Sequence, residues 1–265
     1  MKIFILTMED PLYSGPFLKE VIRNRKDDIC GVALIKKGDR LTVYNKKSKF
    51  IYLLSLFIIL GPFYFIENGL KTISYKFKKQ LSIYLSGVKS PSILKFAERH
   101  NIPVFEIGSP NNDEFLNILR EYSPDLIISQ TTSFLGNNLL SIPKIGILNR
   151  HNALLPKNRG RLTPFWVKYK KEKETGVSIH FMDEKLDSGS IVVQEKFEVK
   201  PTDSIKDIVK KNYEIAPKAI IKAIDKLKQG DNNYLENNDE KATYNSTPSL
   251  KDAIKYRLGF TYQGK

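Results

Sequence analysis

The chain has one cysteine in 265 residues, so no disulfide can form within it. That fits a reducing compartment. Cys30 lies in the apolar run Ile29-Cys30-Gly31-Val32-Ala33-Leu34-Ile35 and reads as a small core residue rather than a nucleophile. Three histidines are too few for a His-rich metal site, and no metal is expected. There is no G-x-G-x-x-G and no Walker A sequence, which leaves a dinucleotide or P-loop site unsupported. No internal repeat is present. The apolar run Ile3 to Thr7 is too short for a signal peptide and no small-residue cleavage site follows it. The expected location is therefore the cytoplasm.

Acids are also scarce: 29 Asp and Glu stand against 43 Lys and Arg, a net charge of +14. The excess is unevenly placed. Between Lys36 and Ser90 the basic residues are opposed only by Asp39 and Glu67. Such a chain attracts anions: nucleotides, phosphates, tRNA or an anionic membrane surface. DNA is not among the expected partners.

What is present is an alternation of strand and helix. Residues 2–7 read as a buried strand, about 17–25 as a helix and 29–35 as a second strand, the opening of a parallel α/β sheet. The pattern resumes with a helix beginning at Ser90-Pro91-Ser92, a strand at Val104 to Ile107, a helix capped by Asn112, and a strand at Asp125 to Ser129. A strand follows at 145–148. Pro164 to about Lys171 is helical. Two runs, Val177 to Met182 and Ser190 to Phe197, look paired across a polar connection. Thr202 or Asp203 caps a helix over about 205–228, and a last helix is expected near 250–258. The fold class is α/β: a Rossmann-like, mostly parallel sheet flanked by helices, with a late antiparallel hairpin and a helical insertion. Residues 1–200 are expected to form the catalytic domain, with a basic-apolar insertion at 37–90. Residues 201–265 add a C-terminal helix and polar tail packed on it.

The insertion contains a charge-free stretch, Phe50 to Ile66, with Lys46, Lys47 and Lys49 before it and Lys71, Lys76, Lys78 and Lys79 after it. Gly61-Pro62 breaks any helix near Leu60. Three readings compete: a helical insertion buried on the protein or in a homodimer, a monotopic patch resting on an anionic membrane, and a spanning helix. The last is disfavoured, because it would separate the first two strands from the rest of the sheet.

Chemistry concentrates in Gly146-Ile147-Leu148-Asn149-Arg150-His151-Asn152-Ala153-Leu154-Leu155-Pro156-Lys157-Asn158-Arg159-Gly160. Alternate residues of an extended chain share a face, so Asn149 and His151 can address one point. The amide can donate to a developing oxyanion, and a neutral imidazole can take a proton from a nucleophile. Polar residues at a strand end are also common turn formers. Asp187, in Leu186-Asp187-Ser188-Gly189-Ser190-Ile191-Val192, is a carboxylate able to orient and stabilise an imidazolium. An Asp-Ser-Gly turn is equally an ordinary connection.

Taken together, Asn149-x-His151, Leu154-Leu155-Pro156-x-x-Arg159-Gly160, Gly176-Val177-Ser178-Ile179-His180 and Leu186 to Val192 resemble the 10-formyltetrahydrofolate-dependent formyltransferase family, most strongly over about 125–199. This resemblance implies that Asn149, His151 and Asp187 occupy the catalytic positions. It implies 10-formyltetrahydrofolate as formyl donor, with the pterin enclosed by the loop Ser133, Phe134, Leu135, Gly136 and by the loop Asp183, Glu184 to Leu186. His180 matches a histidine common in the family and reads as structural. The chain departs from relatives around His151, where they carry Ile and then Pro-Ser. It also lacks the early phosphate-binding loop of the small purine-pathway enzymes. The tail after Lys228 reads as too short and polar for the closed β-domain of the tRNA enzyme.

The function expected from this resemblance is formyl transfer to a primary amine of an anionic small molecule, a nucleotide-linked amino sugar fitting best. A lipid-linked sugar, reached by resting 50–66 at the inner face of a membrane, is a sharper version. The alternatives are a methionyl-tRNA formyltransferase-like activity, a formyltetrahydrofolate hydrolase, and a basic membrane- or RNA-binding protein on a retired formyltransferase scaffold.

Overall fold

The computed structural model describes residues 1–36 and 46–262. The first nine residues of the insertion expected at 37–90 lie outside the described residues. In chain order the elements are β1 (Ile3–Met8), α1 (Ser14–Arg25), β2 (Ile29–Ile35), α2 (Lys46–Leu60), α3 (Pro62–Tyr84), α4 (Ile93–Glu98), β3 (Val104–Ile107), α5 (Asp113–Tyr122) and β4 (Leu126–Gln130). There follow α6 (Asn137–Leu140), β5 (Gly146–His151), β6 (Arg159–Gly160), α7 (Thr163–Tyr169), β7 (Glu174–Phe181), β8 (Ile191–Glu198), α8 (Ile205–Lys228), β9 (Tyr244–Asn245) and α9 (Leu250–Arg257).

Seven strands form one sheet in the order β3-β2-β1-β4-β5-β7-β8. The first five are parallel, while β7 runs antiparallel to β5 and β8 antiparallel to β7. β1 is buried at every position, as a central strand covered on both faces must be. One face packs Ile3, Ile5, Leu126, Ile128 and Leu148 under α1, α4 and α8. The other packs Phe4, Leu6, Ile127 and Ile147 under α5 and α6. Alternate residues of each strand feed opposite cores, which is why these strands read as continuous apolar runs.

The chain runs outward from β1 through β2 to β3, then crosses back to β4 on the other side of β1. That reversal opens a crevice at the carboxyl ends of β1 and β4, where ligands bind in sheets of this kind. The loops after β1, β4 and β5 all reach it.

One expectation needs correction. The cap of α8 is neither Thr202 nor Asp203 but Ser204, whose hydroxyl accepts from the Asp207 N–H while Asp207 accepts from the Ser204 N–H. Only Ser204 has an acid three residues on at the right depth of the first turn, and this reciprocal pair satisfies two helix-end donors. Asp203 is taken up by the Lys200 N–H at 2.9 Å and by Lys211. The segment 50–66, left open among three readings, takes a definite form. The helix breaks at Gly61-Pro62 as expected, and α2 and α3 meet at 119°. The segment is only partly covered by the protein: Ser55 and Ile59 are buried, and Ile58 and Leu60 are half-buried beside them. Of its large apolar residues only Ile59 is fully buried, against Phe165, Trp166, Tyr169 and Ala253, whereas Phe50, Ile51, Leu53, Phe57, Phe63 and Ile66 are exposed. No single helix among the described residues is long and apolar enough to cross a membrane.

Candidate active site

The register of the sheet brings the polar residues together. β5 carries Leu148 and Arg150 toward the α1–α8 face and Ile147, Asn149 and His151 toward the other. Antiparallel pairing with β7 sets Asn149 opposite His180 and His151 opposite Ser178. The β7–β8 connection then returns Asp187 to the same place. Asp187 Oδ2 lies 3.5 Å from His151 Nδ1, and Asp187 Oδ1 lies 3.7 Å from His180 Nε2. His151 and Asp187 are nearly closed off from solvent, with side chains 6% and 10% exposed.

Hydrogen bonds fix the tautomers. His151 Nε2 is 2.8 Å from the Asn158 carbonyl oxygen, which can only accept, so Nε2 carries the proton and Nδ1 is left as the basic nitrogen facing Asp187. His180 Nδ1 likewise donates to the Phe181 carbonyl at 2.7 Å, and its Nε2 is then free to accept from Asn149 Nδ2 at 3.4 Å. Burial is the main reason the His180 imidazole titrates low, at about 4, with the Asp187 carboxylate opposing that shift. His180 is therefore neutral at physiological pH and serves as an acceptor. Gln130 Nε2 completes the grip on Asn149 by donating to its Oδ1 at 3.5 Å. One Asn149 N–H remains for a further acceptor.

Asp187 holds a left-handed backbone at φ 52°. Its Oδ2 accepts from the Gly160 N–H at 2.9 Å. At Gly160 (φ 106°) a Cβ would meet the Asn245 carbonyl oxygen at 2.2 Å, and at Gly189 it would meet the Phe181 carbonyl oxygen at 2.2 Å. Both glycines are thus required by close backbone approach.

The C-terminal tail reaches the site itself. Arg159 is fully buried and donates to Asp239 Oδ1 at 2.7 Å, the Tyr244 hydroxyl at 2.7 Å, and the Asn237 carbonyl and Oδ1 at 3.0 and 2.9 Å. Asn237 Nδ2 in turn donates to the carbonyls of Asp187 and Gly189 at 2.8 and 2.9 Å. Asn158, whose carbonyl holds His151, is itself held by the Thr243 hydroxyl at 2.8 Å and by Asn245 Nδ2 at 2.8 Å. The strand pair β6–β9 belongs to this clamp. Sequence reasoning found Arg159 only as part of a motif and missed Asn237, Thr243 and Asn245. No local pattern marks them.

Asn149, His151 and Asp187 open onto a cavity of about 660 Å³. Ser133, Phe134, Leu135, Asp183, Glu184, Leu186 and Asp187 all lie on its wall with Asn149 and His151, as does His180. Gly136 does not. Its N–H donates to Asn111 Oδ1 at 2.7 Å and it sits at the start of α6, turned into the loop rather than the cavity. Phe134 and Leu186 are exposed apolar side chains on this wall, and the Ser133 hydroxyl is buried with no partner in the protein. Apolar and hydrogen-bonding surface of this kind suits a planar heterocycle.

The same cavity is also lined by Arg150, Arg161, Tyr13 and Tyr213. Arg150 donates to Gln130 Oε1 at 3.1 Å, Asn152 Oδ1 at 3.0 Å and the Tyr213 hydroxyl at 2.9 Å. Its guanidinium also lies 4.3 Å from the Tyr213 ring centre and 4.8 Å from that of Phe17. All these partners are neutral, so among the described residues a buried positive charge stands at the cavity wall with no acid paired to it. Among the described residues no group of three or more His, Cys, Asp or Glu could hold a metal ion.

Comparison with known proteins gives the same picture. The family model for formyl transferase matches residues 77–224. Methionyl-tRNA formyltransferase from Thermotoga maritima is 35% identical over 159 residues, 60% of this chain and 51% of that protein. The chain thus spans about half the length of the curated relatives it matches. Among solved structures, glycinamide ribonucleotide transformylase 1 from Symbiobacterium toebii aligns with a TM-score of 0.60 at 16% identity, covering 87% of this chain and 88% of that one. The N-formyltransferase from Helicobacter canadensis, solved with folinic acid and dTDP-3-aminofucose, aligns with a TM-score of 0.56 at 17% identity, covering 93% of this chain and 71% of that one.

Proposed function

The chain belongs to the formyl transferase family, and from that premise we propose that it transfers a formyl group from 10-formyltetrahydrofolate to a primary amine. The observation that carries the reading is the convergence of Asn149, His151 and Asp187 on one cavity, with both histidine tautomers fixed by carbonyl acceptors. The donor supplies an activated formyl carbonyl, its pterin held by the wall of Ser133, Phe134, Leu135, Asp183, Glu184 and Leu186. A C–N bond forms from the amine to the formyl carbon, and the bond from that carbon to the folate nitrogen breaks. The free Asn149 N–H donates to the oxygen as it becomes anionic. His151 Nδ1 takes the amine proton and returns it to the leaving nitrogen. Asp187, 3.5 Å away, stabilises the imidazolium between those two events.

For the acceptor we propose a nucleotide-linked amino sugar. The buried guanidinium of Arg150, bonded to neutral partners, and Arg161 elsewhere on the same cavity wall support an anionic acceptor there. The Helicobacter canadensis protein was solved with such a compound, in a fold like this one. A methionyl-tRNA acceptor is the second reading, favoured by the 35% identity to the Thermotoga enzyme. The test is incubation with 10-formyltetrahydrofolate and each amine in turn: dTDP- and UDP-linked amino sugars, glycinamide ribonucleotide and methionyl-tRNA. N-formyl product is read by mass spectrometry, with His151→Ala as control. Formyl transfer to a nucleotide-linked sugar that the variant loses supports the proposal. Formate release indifferent to every amine would make the protein a hydrolase instead.

A further inference from the structure

The helix α3 is turned the wrong way round for a protein in water. Its polar side faces the molecule: the Tyr64 hydroxyl bonds Tyr13, the Tyr75 hydroxyl donates to Glu9 at 2.6 Å, and Lys79 pairs with the same carboxylate. Its apolar stripe faces out. Phe63, Ile66, Leu70, Ile73 and Phe77 recur at steps of three and four, so they share one face, and they are between 55% and 89% exposed. Tyr84 continues the stripe and is also exposed. Phe50, Leu53 and Phe57 follow the same spacing on α2 and are exposed as well. A surface helix ordinarily buries such a stripe, and single scattered apolar residues would need no explanation, but this is a continuous patch.

The charge around the patch selects its occupant. Lys71, Lys76 and Lys78 lie on exposed positions beside the stripe, and Lys49 is exposed on α2. The acid among them, Glu67, is already shared by Lys71 at 2.7 Å and Lys206 at 2.6 Å. We propose that α2 and α3 dock the protein on an anionic bilayer, the α3 stripe of Phe63, Ile66, Leu70, Ile73 and Phe77 lying in the interface plane while the flanking lysines reach the headgroups. A second copy of the chain fits the same face poorly. A two-fold contact through the stripe would set each lysine edge against its like. The bend at Gly61 and the polar contacts of Tyr64, Tyr75 and Lys79 make this a face resting on the membrane rather than a span crossing it. The inference stands apart from the formyl-transfer reading, since it uses none of the cavity residues but Tyr13.

The test is flotation of the full chain with vesicles of phosphatidylcholine alone and of phosphatidylcholine mixed with phosphatidylglycerol. The protein is expected to float with the anionic vesicles, to be released by salt, and to stay largely behind with the neutral ones. Replacing Ile66, Leu70, Ile73 and Phe77 together by Gln should abolish flotation while leaving the circular dichroism spectrum unchanged, because none of the four is buried. Reversing Lys71, Lys76 and Lys78 to Glu should lower partitioning by at least about 100-fold. The proposal is overturned if folded wild-type protein ignores anionic vesicles. It is equally overturned if the stripe instead holds a dimer, seen as a halving of mass in the Gln variant without any lipid binding by wild type.

Discussion

Asn237 lies 50 residues from Asp187 in the chain, yet it fixes the backbone on which that carboxylate stands. Replacing Asn237 by Ala removes three buried hydrogen bonds: those donated to the carbonyls of Asp187 and Gly189, and the one accepted from Arg159. The backbone carbonyl of residue 237 still accepts from Arg159. Two neutral bonds at about 1 kcal/mol each and one charge-assisted bond at about 1.5 kcal/mol give a loss of roughly 3.5 kcal/mol. For a chain of this size that corresponds to a fall in Tm of about 7–14 °C. It is less than the usual total stability of a domain, so the variant should fold. The left-handed backbone at Asp187 then loses its clamp, and kcat should fall while KM for the acceptor changes little, because Arg150 and Arg161 are untouched. Asn237→Asp separates the two halves of the argument. A carboxylate still accepts from Arg159 but cannot donate to the two carbonyls, so it should fail to restore kcat. Thermal unfolding and steady-state kinetics on both variants read this directly. An Ala variant with wild-type Tm and wild-type kcat would sink the claim that the tail positions the site.

Other outcomes are as definite. Asn149→Ala should lower kcat by about 10²–10³ with little change in folate binding, as removal of an oxyanion donor does; equal losses in binding and turnover would argue for a positioning role instead. His180 stays neutral when folded down to about pH 4 but protonates near 6.5 when unfolded. Between those values the unfolded state binds the extra proton, so stability is fully present above 6.5 and falls by roughly 3 kcal/mol as pH drops toward 4. Chemical denaturation of His180→Gln against pH should show a flatter slope over that window, and an unchanged slope would refute the assignment. Arg150→Met should raise KM for an anionic acceptor while leaving folate affinity intact; an unchanged KM would place the acceptor elsewhere. Gly160→Ala should destabilise the fold or displace Asp187, since its Cβ cannot clear the Asn245 carbonyl, and a fully active, equally stable variant would contradict that geometry.

The sequence by itself determined the sheet and the candidate site residues on its strands. Apolar runs at 3–8, 29–35 and 126–130 with helical spacing between them leave few arrangements other than a parallel sheet covered on both faces. Asn149 and His151 share a face because a strand repeats every two residues, and that too is local. The break at Gly61-Pro62 and the cap at Asn112 were equally legible, since turn and cap chemistry is read from neighbours. Only the tertiary structure decided which polar atoms meet. The bonds from Asn237 to Asp187 and from Asn245 to Asn158 join residues 50 and 87 apart, and a tail of Asn, Asp and Thr carries no periodic mark of such use. Arg150 stood in the sequence as a departure from relatives; the structure buries it at the cavity wall among the neutral partners Gln130, Asn152 and Tyr213. The orientation of α3 was decided in the same way. Periodicity specifies that a stripe exists, but whether it faces the core or the surroundings depends on what the opposite face can bond, and here Glu9 and Tyr13 hold the polar side inward.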